Sequence, residues 1–482
     1  MISIVENYST RKIFLVLATI FLIFYTIQIP FWTSNPDVII YSSKASEDKP
    51  ILKYAFLDEH SLCLSDTKPL PNYHLGHNLI LWLIYRILPD SISDNSIWPA
   101  GLVSAISGAF FVGLTFLLAM QLKIQKKTTI IISIFAGLIP SIWYHNLIGE
   151  VYALQLTLII LFILLFLKNK WVLSSLAFLF SNLVSPLSGL SFTFLLLAPK
   201  TKENFIKAFL VGFCALSAYI IIIFLLDLNI FDIFNLNLQP NPSRQRSFLW
   251  VVFRFCSTIA LNFGLLLYYF FYGCISAKEE NRRILIALFL AVIPQIVLAL
   301  SKENFLVELG SFQLILFWAM CFPIGFMISN GVKSKVYFSC SLCGIFLVFI
   351  FVWWLPNTQI GKEQYNAGIW LKSNIAEENK IIGPWNCTIG VASARYRGDF
   401  NKISNKYINK AEPETDDIEK LGQKSLIIVA KKYGKIRVLL NRLPVIALKI
   451  DNYNPIESIQ VGSVKHLFEN RAVSIFRWDS AP

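Results

Sequence analysis

Eleven long apolar runs dominate the chain, at residues 12–33, 97–121, 128–144, 149–167, 171–186, 187–199, 205–226, 248–272, 284–300, 309–329 and 336–356. Crossing a bilayer's hydrocarbon core takes about 20 apolar residues in helix. Hydrocarbon offers no partner to an open backbone, so runs of this kind must fold as helices. A soluble domain is about a quarter charged, whereas only 15% of these residues are Asp, Glu, Lys or Arg. That excludes a soluble enzyme, a disordered chain and a nucleic-acid binder, despite a net charge of +13. The expected fold is a polytopic α-helical membrane protein with about 11 spans.

Charge sets the order of the loops. Runs 171–186 and 187–199 are short, and Asn182, Ser185, Pro186, Ser188 and Gly189 lie around their junction, so one broken helix competes with a hairpin. Lys168 and Lys170 precede the pair, and Lys200, Lys202 and Lys207 follow it. Basic residues collect in cytoplasmic loops, which puts both ends inside and predicts a hairpin. With that choice fifteen lysines and arginines fall on one side, against Arg244, Arg246 and Lys302 in the short loops opposite. The N-terminus is expected in the cytoplasm and the C-terminus outside, with run 12–33 kept as an anchor because it lacks a small-residue cleavage site.

Two large segments then lie outside the cytoplasm. The C-terminal one, 357–482, alternates helix and strand: an amphipathic helix over 363–378, then β-type runs at Lys380–Gly383, Leu426–Ala430, Pro444–Ile450 and Ala472–Trp478. It reads as a small extracytoplasmic α/β domain after a membrane domain over 1–356, with 399–419 as polar loop. The other segment, 34–96, carries an apolar stretch at 77–88 that is too short to span. Bounded by Gly76 and Pro89 and holding Trp82, Tyr85 and Arg86, it suits a helix lying in the membrane surface.

Ionisable groups near membrane depth need a reason. Glu150 opens the fourth run within Trp143-Tyr144-His145-Asn146-Leu147-Ile148-Gly149-Glu150-Val151-Tyr152. It either stabilises a helix N-terminus through the dipole or belongs to a site, and its His and aromatic neighbours favour the site. Arg254, about two turns into run 248–272, either snorkels to headgroups or clamps a phosphate bidentately. The first outer loop holds Asp58-Glu59-His60, Asp66 and Tyr73-His74-Leu75-Gly76-His77. A carboxylate there could take a proton from an acceptor hydroxyl; the plain alternative is a solvated acidic loop. His74 and His77 leave room for a divalent cation but lack a third clear ligand. Cys340 and Cys343 form a C-x-x-C inside the last run, where helix packing explains them better than redox chemistry. The eight cysteines show no disulfide framework, and Asn386-Cys387-Thr388 fits a glycosylation sequon. No phosphate-binding glycine loop supports ATP-driven transport.

These motifs resemble the GT-C superfamily of integral-membrane glycosyltransferases, most closely the bacterial relatives of the eukaryotic transmembrane O-mannosyltransferases. Asp58-Glu59, followed by Tyr73-His74-Leu75-Gly76-His77-Asn78-Leu79, resembles that family's acidic D-x-G-E-like motif and its H-P-P-G-x-P-L-Y segment. Ile148-Gly149-Glu150-Val151-Tyr152-Ala153-Leu154 is similar to its A-E-V-Y-A-L, at the same place in the span order. Ser181–Gly189 resembles its G-L-x-x-x-H-H-x-x-G segment without the two histidines, and the prolines of H-P-P-G are also missing. The likeness covers the first 200 residues; beyond them it is one of architecture.

The resemblance implies a multi-pass enzyme of the bacterial inner membrane. It would move a sugar from a polyprenyl-phosphate donor to a glycan, lipid or protein acceptor outside the cytoplasm. It implies a catalytic carboxylate at Asp58 or Glu59, with Asp37 a weaker third candidate, and a substrate site drawn from His74, His77, Glu150, Tyr152 and Arg254. One rival is an O-antigen-type polysaccharide ligase or polymerase, which would need a large loop where 301–308 is short. A lipid or polysaccharide transporter is the other, and it would show internal repeats and midplane charges that the sequence lacks.

Overall fold

A computed structural model of the chain describes residues 8–29, 74–89, 97–197, 201–226, 248–301, 313–329, 335–396, 402–403, 406–410, 412–431 and 454–480. The chain divides into two units. One comprises Met1–Ile27, Tyr73–His77 and Val103–Phe349; the other comprises Gln28–Asn72, Asn78–Leu102 and Ile350–Pro482.

In chain order the first helices are α1 (Thr10–Thr26), α2 (Leu75–Ile87), α3 (Ile97–Gln121), α4 (Lys126–Leu138), α5 (Pro140–His145), α6 (Val151–Leu167) and α7 (Trp171–Val184). After a 3₁₀ turn at Pro186–Ser191 come α8 (Phe192–Leu197), α9 (Lys202–Leu225), α10 (Phe248–Phe263), α11 (Leu267–Ser276), α12 (Glu279–Ser301), α13 (Leu314–Ser329) and α14 (Lys335–Val348). Stretches of three of these helical paths, Trp98–Gln121, Lys202–Leu225 and Phe255–Ser276, are long and apolar enough to cross a membrane, and shorter apolar helices accompany them. The chain is an integral membrane protein, and among the described residues helix forms in every run that the sequence marks as a span.

Local chemistry sets the breaks. Pro140 sits at the first position of α5 and forces Ile139 before it out of the helical region, to φ −55° and ψ 126°, which parts α4 from α5. Asn169 takes φ 57° in the turn between α6 and α7, a left-handed conformation that Asn tolerates. Helices α6 and α7 then run antiparallel: Phe166 meets Trp171 with ring centroids 5.0 Å apart, Phe162 meets Phe178 at 4.8 Å, and Ser174 Oγ donates to the Phe162 carbonyl at 3.0 Å.

The segment 171–197 is not one helix. Helix α7 stops at Val184, Ser185 is extended and Pro186 opens the 3₁₀ turn. Lys207 Nζ lies 5.9 Å from the Trp171 ring centroid, and Ser175 Oγ donates to the Val211 carbonyl at 3.1 Å. Equal steps along α7 and α9 therefore meet, the two helices run parallel, and the chain between them must return. This is the hairpin expected from the lysines.

Small residues admit close packing between membrane helices. A Cβ on Gly273 of α11 would lie 1.9 Å from the Pro323 carbonyl oxygen of α13. The buried indole of Trp318 donates to Thr115 Oγ1 at 3.1 Å, which joins α13 to α3.

The second unit contains α15 (Leu355–Asn374), which follows α14 through a π-helical stretch at Phe349–Trp354. After it come β1 (Lys380–Gly383), α16 (Trp385–Arg395), β2 (Tyr407–Asn409), α17 (Thr415–Lys420), β3 (Ser425–Lys431), α18 (Pro455–Ser458), β4 (Ser463–Glu469) and β5 (Val473–Asp479). The sheet order is β2-β1-β3-β5-β4, with β1 parallel to both neighbours and β5 antiparallel to β3 and β4. Successive strand residues face opposite sides. Ile381, Ile427 and Val429 thus pack with Ala367, Leu371 and Val391, while Ile382, Leu426 and Ile428 pack with Ile418, Ile459 and Trp478. Burial on both faces explains why β3 is apolar without alternation.

Strands expected at 380–383, 426–430 and 472–478 are present, and the one expected at 444–450 lies outside the described residues. The reading of 399–419 as loop needs correction. It holds β2, whose three residues are too few to show a period, and α17, nucleated by a reciprocal cap in which Glu414 and Asp417 each accept the other's backbone N–H. Strand β4 was not expected either, since its mostly exposed residues carry little apolar pattern.

Candidate functional site

The loop between α5 and α6 is held from several sides. Asn146 caps α5 with its N–H on the Ile142 carbonyl, and Gly149 turns the chain at φ 77°, where a side chain would be strained. Tyr25 of α1, fully buried, donates its hydroxyl to the Gly137 carbonyl at 2.7 Å and accepts from Asn146 Nδ2 at 3.0 Å. Gly108 of α3 leaves Asn146 just enough space, since a Cβ there would come within 2.4 Å of its Cγ.

This loop delivers Glu150. Its backbone is the N-cap of α6, its carbonyl accepts from Ser104 Oγ at 3.3 Å, and its side chain is 2% exposed. The carboxylate makes no capping bond to the helix it precedes. A capping hydrogen bond therefore does not explain this residue, whereas its place at the positive end of the α6 dipole does tie it to that helix. Five residues earlier, the buried His145 ring is flanked edge-on by Tyr144 at 4.9 Å and Tyr152 at 5.0 Å. Tyr152 thus stands next to an imidazole.

His74 and His77 arrive at the same end of the helical unit. His74 lies 2.8 Å through Nδ1 from the Val184 carbonyl at the end of α7, and a carbonyl only accepts, so Nδ1 carries the proton. Burial pushes the His74 pKa below the usual imidazole value, partly offset by that bond, so the ring is neutral at pH 7. Gly76 allows the approach, because a Cβ there would touch Val184 Cγ2 at 3.0 Å. His77 is buried in the first turn of α2. Since α6 and α7 are antiparallel, the start of α6 and the end of α7 share an end, where Glu150, His145 and Tyr152 lie at the first and His74 reaches the second.

Asp58, Glu59, Asp37 and Asp66 lie outside the described residues. Arg254 stands in the second turn of α10. Among the described residues no three His, Cys, Asp or Glu side chains converge as a metal site. Asn386 of the sequon lies in the first turn of α16 rather than in a loop. Tyr25 and Asn146 escape sequence reading because 112 and 121 residues separate Tyr25 from its partners. The only sequence trace of their role is the loop's proximity to Glu150.

No protein-family model matches the sequence, and no curated protein does. Solved structures do match in fold. ArnT from Cupriavidus metallidurans in the apo state aligns over 95% of this chain and 97% of its own, with a TM-score of 0.56 at 10% identity. The same ArnT bound to undecaprenyl phosphate aligns over the same shares, with a TM-score of 0.52 at 10% identity. At such identity the likeness is one of fold, and it spans nearly the whole chain: the chain has the fold of ArnT.

Proposed function

We propose that the chain is a GT-C-type membrane glycosyltransferase that moves a sugar from a polyprenyl-phosphate donor to an acceptor outside the cytoplasm. The observation that carries the reading is the near-complete fold match to ArnT, a protein solved with undecaprenyl phosphate bound. The buried Glu150 corner supports it, because a carboxylate at that depth needs a reason.

In this reaction an acceptor hydroxyl oxygen bonds to the anomeric carbon while the bond from that carbon to the phosphate oxygen breaks. Asp58 or Glu59 takes the hydroxyl proton, and polyprenyl phosphate leaves with the bonding pair. Arg254 offsets the charge on the leaving phosphate. His74, His77, Glu150 and Tyr152 line the substrate side, with neutral His74 able to accept a hydrogen bond through Nε2 but not to add charge. The N-terminus faces the cytoplasm and the sheet domain faces outward.

The purified protein, given a polyprenyl-phosphate sugar and membrane extract as acceptor source, should release polyprenyl phosphate. Removing a general base costs about a hundred- to ten-thousandfold in rate, so Asp58→Asn or Glu59→Gln should fall that far at unchanged protein level. If neither loses activity while Asp66→Asn does, the catalytic assignment fails. If no donor is turned over, the transferase reading fails. In a cysteine-free background, a membrane-impermeant thiol reagent should label Lys420→Cys on intact cells and miss Glu280→Cys; the reverse would overturn the orientation.

A further inference from the structure

At the end of the helical unit opposite Glu150, the starts of α7 and α9 stand side by side. Lys168 and Lys170 flank the α6–α7 turn and are exposed, as is Lys202 at the first position of α9. Lys207 completes the group beside Trp171, paired with Glu203 one turn back. Among the described residues of this corner, four lysines thus face one carboxylate. Lys170 and Lys202 also sit where the helix dipoles are positive, a placement that disfavours cations unless an anion offsets them.

The charge does not stand alone. The outer sides of the same two helices, running away from the lysines, are apolar and open: Val172 is 74% exposed, Leu173 53%, Phe205 44% and Phe209 45%. Trp171 lies at the junction, as indoles do where apolar and polar layers meet. A free phosphate would use the lysines and leave this apolar face unexplained. A phospholipid matches both.

We infer that the corner formed by Lys168, Lys170, Trp171, Lys202 and Lys207 docks an anionic phospholipid. Its phosphodiester meets the lysines, and its acyl chains lie along α7 and α9. The inference rests on the membrane fold and not on the transferase reading.

The test uses the full chain in nanodiscs of phosphatidylglycerol and phosphatidylcholine at equal mole fraction, with retained lipid counted by native mass spectrometry. The wild type should keep phosphatidylglycerol preferentially. A basic residue near an anionic surface is worth about fivefold in binding, so the triple variant Lys168→Gln, Lys170→Gln, Lys202→Gln should lose at least tenfold of that preference. The triple Lys12→Gln, Lys127→Gln, Lys278→Gln, which removes the same charge at the same end, should keep it, as should replacement of the three site lysines by arginine. Equal loss in both glutamine triples would reduce the effect to general surface potential and overturn the site. So would a wild type with no lipid preference.

Discussion

Changing Tyr25→Phe removes one oxygen and unmakes two buried bonds. The hydroxyl accepts from Asn146 Nδ2 at 3.0 Å and donates to the Gly137 carbonyl at 2.7 Å, and neither Tyr25 nor Asn146 is more than 1% exposed. A stranded buried polar group costs about 1–3 kcal/mol, so two would cost about 2–6. Measured side-chain hydrogen bonds inside membrane proteins average nearer 0.6 kcal/mol, which favours the low end. The surroundings argue against full relaxation, because Gly108 packs against Asn146 so closely that not even a methyl fits between them. The expected loss is about 2 kcal/mol. Asn146→Ala should cost a similar amount, and the double variant less than the sum, with a coupling of about 1 kcal/mol. The assay is reversible denaturant unfolding in detergent, followed by tryptophan fluorescence. Additivity within about 0.5 kcal/mol would mean the two residues act independently and would refute the idea that α1 fixes the loop carrying Glu150. On the proposed transferase reading, turnover should fall in Tyr25→Phe as well, measured below the unfolding transition, because the loop begins at Asn146.

Further outcomes follow from single contacts. Gly273→Ala should destabilise by about 3 kcal/mol or more, since its Cβ would overlap the Pro323 carbonyl at 1.9 Å; Gly344→Ala, with nothing within 4 Å, should be neutral or stabilising by up to about 1 kcal/mol. Equal melting shifts for the pair would refute the packing. Arg395, 3% exposed, donates to the carbonyls of Ile375 and Ala376 just past α15, so Arg395→Met should cost about 1–3 kcal/mol and speed hydrogen exchange in the sheet domain, with Arg395→Lys restoring only part. His74 has a depressed pKa in the fold, so the unfolded chain binds the extra proton and stability is full above about pH 6.5 and declines as pH falls below it. His74→Gln should flatten that slope; an unchanged slope would remove His74 as its source.

The membrane helices were legible because each is written as a run, and a run needs no partner to be recognised. The hairpin at 171–197 was legible through Lys168, Lys170 and Lys202, since charge reports the side of the membrane even where length is ambiguous. Glu150 stood out as a carboxylate at the edge of an apolar run. What holds it did not stand out, because Tyr25, Gly108 and Asn146 are unremarkable locally and acquire meaning only when three helices meet. Strand β2 was missed for a related reason: Tyr407–Asn409 is a strand because β1 pairs with it, not because of its own composition.

The strand order also bears on how the domain is made. β3 is flanked by β1, already synthesised, on one side and on the other by β5, which follows every other strand in the chain. Until β5 emerges, the seven residues from Ser425 to Lys431 present an open apolar edge, the kind of edge on which chains mispair. Completion of the sheet thus waits for residues 473–479. A ribosome stalled before residue 473 would leave a half-built sheet, a ready substrate for quality-control proteases.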